Sequence, residues 1–384
     1  MTRKRLVLVL LVVAVLLSAS ALNAAKPTKS PYVIGAIFSV TGDNAPLGVP
    51  ERETVKMLEK QINAAGGIDG HPIKVELYDD GGKPDQAVQA CQELLANKKV
   101  VAIIGPTLSG TSLAIAPACE SANVPLISAA ASIKIVVPVR PYIFKTAQTD
   151  AMAVDRIIDY CLKKGIATVG FINDSNAFGA SGREQWNILS KKKGIKTVAL
   201  ESFNTSDSDM TAQLTSIRAK RPQAVICWGT NPGPAIVAKD MRRLGMNQPL
   251  MMSHGIANMQ FIDLAKSAAE GVVFPAGKLI VAQYVPDSDP QKKVLLKYIA
   301  DYKKATGKSP NTFGGHGYDA FKLVTMALSK VGSNKAKIRG AIEGTKGFIG
   351  ISGVFNFSDS DHNGLGKGSL ALVTIKDGKW ILVK

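Results

Sequence analysis

Hydroxyl-bearing residues and glycine gather at the ends of two apolar runs. VVAIIG at 100–105 leads into PTLSGTS at 106–112 and then into a helical pattern, LAIAPACESA. Such residues at the carboxyl end of a strand, just before a helix, offer backbone N–H groups and hydroxyl donors to a carboxylate or phosphate. A second junction, VPLIS followed by AAASI, repeats the arrangement with Ser128 and Ser132. Two neighbouring junctions can seat one anion; the plainer reading is that Ser109, Thr111 and Ser132 only cap helices. A third such place is PLMMSHGIANMQ at 249–260, where an apolar run stops at His254, one of four histidines in the chain. Read alone, His254 fits an acid-base group, a metal ligand or a loop residue facing solvent.

The rest of the chain supplies no catalytic machinery to go with it. No GxGxxG follows a strand, and neither a P-loop lysine motif nor HExxH occurs. The serines lack the G-x-S-x-G elbow, and no histidine is placed to act as its base. No catalytic residue, metal site or cofactor is therefore expected. FSDSDHNGLGKGSL places Asp359, Asp361, Asn363 and Gly364 at calcium-loop spacing, but Leu370 stands where a bidentate carboxylate is required. With strand patterns on both sides, a turn is expected there.

The elements that must carry these junctions alternate regularly. YVIGAIF, IKVELYDD, VVAIIG and VPLISAA read as strands separated by amphipathic stretches, the signature of parallel βαβ units. Between 45 and 66, Val55, Leu58 and Ile62 recur at helical spacing before a pair of glycines. A second series, ATVGFIND, TVALESF, AVICWGT and PLMMS, alternates with helices expected near 179–193, 209–220, 234–244 and 258–268. After GVVFPAG come three consecutive helical patterns and then the strands GVFNF, SLALVTI and KWILVK. Two α/β lobes follow, with the chain crossing between them more than once and the site in the cleft.

Length and composition agree: 384 residues exceed the usual size of one core, and 46% apolar content suits a folded chain. A basic start at Arg3, Lys4 and Arg5, an apolar run from Leu6 to Leu17 and small residues at Ala19 to Ala25 predict a cleaved secretory signal over 1–25. That run is shorter than the roughly 20 residues a membrane span needs. The formal charge of +17 falls to +14 without those three cations. Scattered lysines and 6% aromatics exclude a nucleic-acid partner and leave solvated helix faces. In an oxidising compartment, Cys91 and Cys119, on consecutive expected helices, form a candidate disulfide pair; Cys227, in a strand, reads as a buried thiol.

The segments YVIGAIFSVTGDNAPLG, INAAGGIDGHPIKVELYDD, PDQAVQACQELL, VVAIIGPTLSGTSLAIAP, VPLISAAAS and GYDAFKLV resemble, in order and spacing, the periplasmic leucine/isoleucine/valine-binding proteins of ABC importers. The resemblance implies the type I periplasmic binding protein fold: two Rossmann-like α/β lobes joined by three crossovers and closing by hinge motion. One lobe would comprise 31–147 plus 276–352, the other 148–275 plus 353–384. It also implies that Ser109, Ala130 and Ser132 stand where the family holds a ligand carboxylate, with Thr111 on the same turn. Phe178 and Leu47 occupy positions where aromatic residues cover the ligand. Thr230 replaces a tyrosine, and His254 replaces the acidic residue that pairs with the ligand ammonium.

A buried ammonium without that carboxylate would lack its compensating charge. The expected function is therefore a periplasmic solute-binding protein for an acid lacking an α-amine, such as an aromatic carboxylate, working as a monomer with a membrane permease. Branched-chain amino acid binding and a ligand-sensing module for a membrane partner are the alternatives. An exported α/β enzyme would need His254 as its acid-base group.

Overall fold

The computed structural model describes residues 27–383; the expected signal segment lies outside them. Within it the first series of apolar runs forms a five-stranded parallel sheet: β1 (Tyr32–Phe38), β2 (Ile73–Asp79), β3 (Val100–Ile104), β4 (Leu126–Ser128) and β5 (Ile143–Lys145). The spatial order is β2-β1-β3-β4-β5, the doubly wound arrangement in which ligands meet the carboxyl ends of the strands. All five residues of β3 are buried, as a strand covered by helices on both faces requires. Helices α1 (Ala45–Ala64), α2 (Pro84–Ala96) and α3 (Ser109–Ser121) fill the first three crossovers. Val55 and Leu58 are buried and Ile62 half-buried, the face expected from their spacing.

The second series gives β6 (Thr168–Asp174), β7 (Lys196–Phe203), β8 (Ala224–Trp228), β9 (Leu250–Met252) and β10 (Val273–Gly277). The closing strands β13 (Leu370–Lys376) and β14 (Lys379–Leu382) extend this sheet antiparallel beyond β10. Its helices are α4 (Asp150–Lys163), α5 (Ala177–Lys193), α6 (Thr211–Ala219), α7 (Gly233–Arg243) and α8 (Met259–Ala265). The last is shorter than expected, because Lys266 takes φ 53 and the chain continues as a 3-10 turn over Lys266–Ala269. No helix among the described residues is long and apolar enough to cross a membrane.

After β10 the chain returns to the first sheet. Helices α9 (Lys292–Thr306), α10 (Thr312–Val331) and α11 (Lys335–Glu343) bury Leu295, Phe321 and Ile338 in one core with Ile34, Val101 and Phe144. The GVFNF strand expected from sequence is reduced to Val354–Phe355 (β12), paired with Phe348–Ile349 (β11) in a two-stranded hairpin. Phe355, Phe357 and Leu365 share the core of the first sheet, and Phe357 meets Phe144 edge-on at 5.9 Å. The resemblance implied that 353–384 belongs to the second lobe, whereas these three side chains pack in the core of the first sheet. Their apolar side chains complete the first core before the chain crosses to β13. The acidic turn beyond them is a turn as expected: Asp361 Oδ1 accepts the Asn363 and Gly364 N–H groups, each at 2.9 Å.

Candidate functional site

A cavity of about 370 Å3 lies where the carboxyl ends of both sheets converge, within the usual size of a small-molecule site. Leu47, Ser109, Thr111 and Ala130 line it from the first sheet. Phe178, Thr230 and His254 line it from the second. Seven of the eight residues expected from sequence thus line one cavity; Ser132 does not line it.

On the first side, Gly105 ends β3 with φ +86, and a side chain there would meet the Ile37 carbonyl at 2.0 Å. Only glycine fits this close approach. The chain then turns through Pro106 and Thr107 into α3, whose N-cap, Leu108, supplies no side-chain acceptor. The first-turn N–H groups of a helix have no intrahelical partner, and here the turn opens on the cavity. Ser109 Oγ accepts the Ser132 N–H at 3.2 Å, which leaves its own proton free to donate. Thr111 donates to the Leu108 carbonyl at 3.0 Å, and the Ala130 N–H is engaged by Ser128 Oγ at 3.1 Å. Behind this wall Thr107 donates to the buried Glu51 and accepts the Ser39 N–H, while Ser39 donates to Asp80 at 2.6 Å. Burial pushes the Glu51 and Asp80 carboxyls up.

Ser132 is used differently from the expectation. Its hydroxyl caps a short 3-10 turn by accepting the Lys134 N–H and donates to Ser181 Oγ on α5 at 2.7 Å. Ser181 in turn donates to the buried Asp150 carboxylate at the start of α4. A strand-end loop of the first sheet is thereby hydrogen-bonded directly to a helix of the second, and the exposed Lys134–Glu184 pair joins the same two elements.

On the second side Asn176 caps α5 by accepting the Gly179 N–H at 3.0 Å, which sets Phe178 on the cavity wall. The Phe178 ring stands 5.6 Å from His254, at 74°, and 5.7 Å from Trp228. Gly182 makes room for Trp228, since a Cβ there would meet indole Nε1 at 2.1 Å. Ser253 fixes the turn after β9 by donating to the Gly229 carbonyl and accepting the Gly255 N–H. Among the described residues His254, 7% exposed, has no hydrogen-bond partner on either ring nitrogen; the backbone of Gln148 approaches without hydrogen-bond geometry. Burial, and secondly the Lys145 charge, push its pKa down to about 3, so the ring is neutral.

Sequence reasoning passed over His316, Gln148 and Thr312, which line the same cavity. His316 sits in the first turns of α10 with Nδ1 2.8 Å from Ser352 Oγ, and burial pushes it down to about 3 as well. Its signal was a lone imidazole in the glycine-rich start NTFGGHGYDA, directly ahead of a strongly apolar helix. Lys145, fully buried and close enough for its charge to act on both rings, donates to the Ala147 carbonyl at 2.6 Å and is pushed down to about 7 by burial. Among the described residues no cluster of three metal-ligating side chains occurs.

Two Rossmann-like sheets, three crossings and a polar-edged cavity between strand ends define a bilobed small-molecule receptor. The profile of the family described as "Periplasmic binding protein" matches residues 31–379, and the chain belongs to that family. Membership makes it a solute-binding receptor rather than a catalyst, and the type I fold expected from sequence is borne out. The chain is 24% identical to the Leu/Ile/Val-binding protein BraC3 of Rhizobium johnstonii over 302 residues, covering 78% of this chain and 79% of the relative. An extracellular ligand-binding receptor from Rhodopseudomonas palustris HaA2 superposes with a TM-score of 0.87 at 29% identity, over 92% of this chain and 100% of that one. The branched-chain amino acid transporter substrate binding protein LivJ of Streptococcus pneumoniae, solved in complex with isoleucine, gives a TM-score of 0.81 at 25% identity, over 92% and 99%.

Proposed function

We propose that this chain is the periplasmic solute-binding component of an ABC importer and that it closes over a branched-chain amino acid. The carrying observation is the cavity itself, which the first turn of α3 lines from one side and the Phe178–His254 pair from the other. The expectation of an aromatic or other amine-free acid is overturned by the relatives, several of which are named as Leu/Ile/Val-binding proteins, and by the isoleucine complex of LivJ.

The physical error lay in treating a protein carboxylate as the only partner a ligand ammonium can have. Burial keeps the imidazole neutral, and a neutral ring with unpartnered nitrogens presents a lone pair that accepts an ammonium N–H. A zwitterionic ligand brings its own compensating charge, so no protein carboxylate is obligatory beside its ammonium. In this reading Ser109 Oγ and the first-turn amides of α3, that of Thr111 among them, take the ligand carboxylate. His254 takes the ammonium, and Leu47 and Phe178 cover the side chain. Thr230 and Ala130 complete the wall.

The lobes are taken as 31–147 with 276–365, and 148–275 with the two closing strands. The sheet membership of β1–β5 and β6–β10 and the packing of Phe357 and Leu365 support this division. Contacts from both lobes favour the closed state by population shift, and the permease reads closure.

Isothermal titration with leucine, isoleucine and valine tests the reading: saturable binding of at least one is expected. Absence of heat and of a thermal shift with all three would overturn it. Closure also has a component remote from the cavity wall. Replacing Ser181 with alanine breaks the Ser132–Ser181–Asp150 chain between the lobes, and a roughly 2- to 10-fold weaker leucine affinity is expected, the size of one net hydrogen bond. Unchanged affinity in that titration would remove this chain from the closing mechanism.

A further inference from the structure

The cysteines were left open by sequence, and their placement settles which two can meet. Cys91 lies on α2 and Cys119 on α3, both fully buried in the helix layer over the first sheet with Ala87, Ile115 and Leu126. Their sulfurs stand 3.6 Å apart, in van der Waals contact. A disulfide needs about 2.05 Å, so small side-chain rotations suffice to close the gap. The other two thiols, Cys161 and Cys227, are buried in two different clusters of the second half, where burial pushes them up to about 12 and well above the ordinary thiol range.

We propose that Cys91 and Cys119 form a structural disulfide in the exported protein, tying α2 to the helix that presents Ser109 and Thr111 to the ligand. The inference rests on the periplasmic location of the family, a compartment in which thiols are oxidised and persist as disulfides. The oxidant is an exchangeable disulfide, R–S–S–R, of the dithiol oxidase or glutathione type. One cysteine thiolate attacks it and forms a mixed disulfide, expelling the first RS⁻. The second cysteine thiolate then attacks the protein sulfur of that mixed bond and expels the second RS⁻. The two cysteine protons pass to the two leaving thiolates, so two thiols are oxidised while one disulfide is reduced to two thiols.

Because neither sulfur is exposed once α2 and α3 have packed, exchange takes place before this layer closes. The bond then joins residues 28 apart in sequence and holds the far end of α3 while its first turn faces the cavity.

The test uses the wild-type chain recovered from the periplasm of an exporting bacterium, denatured and alkylated with and without prior reduction. Two alkyl groups are expected without reductant and four with it, and the non-reduced digest should contain the peptides of Cys91 and Cys119 as one linked species. Four groups without reductant, both in this sample and after refolding in glutathione disulfide, would overturn the proposal. So would a linked species joining Cys161 to Cys227. Cys91→Ser should then show three alkylated thiols without reductant, and reduction of the wild type should lower Tm by roughly 5 °C. Because the labelling reads no ligand, its failure and the failure of leucine binding are separate results.

Discussion

Ser109→Ala is expected to weaken leucine binding by roughly 10- to 100-fold, the size of one lost hydrogen bond to a charged group. Ser109 Oγ already accepts the Ser132 N–H, so its proton is directed to whatever anion fills the first turn of α3. Alanine removes that donor and also orphans the Ser132 amide in a buried site, so a stability loss of about 1 kcal/mol should accompany the loss of affinity. The two effects separate in measurement, the first by calorimetric titration and the second by urea unfolding of the ligand-free chain. Thr111→Val should be milder, because the Thr111 hydroxyl already donates to the Leu108 carbonyl and offers the ligand only its lone pairs. Equal affinity in wild type and Ser109→Ala would remove the carboxylate from this end of the cavity and with it the assigned orientation of the ligand.

The contrast between these two hydroxyls marks how far sequence reasoning reached. Strand-end positions were legible, since parallel strands buried on both faces leave continuous apolar runs such as VVAII, and a run that stops at serine, glycine or histidine marks the ligand side of the sheet. Ser109, Thr111 and His254 line the cavity for that reason, whereas Leu47, Ala130, Phe178 and Thr230, which also line it, were expected there only from the family resemblance. What a side chain does at such a position was not legible. The partner of Ser132 lies 49 residues away on α5, and no local pattern announces it.

His254 shows the same limit in electrostatic form. Its place in the cleft followed from the strand end, whereas its charge depends on burial and on Lys145, which becomes its neighbour only after folding. Counting only the missing carboxylate, and not a neutral acceptor in its place, led directly to the wrong ligand class. His316 was hidden for a related reason. Helical periodicity identifies the buried face of α10, and on that face an imidazole reads as a core residue until the second sheet supplies the opposite wall of the cavity. The packing of the hairpin around Phe355 was not legible, because a run such as GVFNF has the same alternation whichever sheet receives it.

The neutral state of the two cavity histidines has a direct thermodynamic consequence. Each has its folded pKa pushed down to about 3 while the unfolded imidazole titrates near about 6.5, so between these values the unfolded chain binds protons that the folded chain does not. Stability contributed in this way is fully present above about pH 6.5 and is lost as the pH falls towards 3, by up to about 5 kcal/mol for each ring. Other buried groups face the same region. Lys145, pushed down to about 7, adds a loss of the same sign at higher pH, between the unfolded lysine range and about 7. The Asp319 carboxyl, pushed up to about 7 by burial, works in the opposite direction between about 4 and 7. The slope of the wild type alone is therefore a mixture, and the discriminating quantity is a difference between variants.

Urea midpoints measured across the acid range should fall more steeply for the wild type than for His254→Asn with His316→Asn, by close to two protons taken up on unfolding. Equal slopes would mean that neither ring is held neutral. The same protonation state fixes the ligand behaviour: a neutral His254 that accepts from an ammonium keeps leucine affinity flat from about pH 8 to about pH 5. A change in affinity centred near 6.5, abolished by His254→Asn, would instead identify a ring that is charged when the ligand binds. In that case it could not be the acceptor of the ammonium.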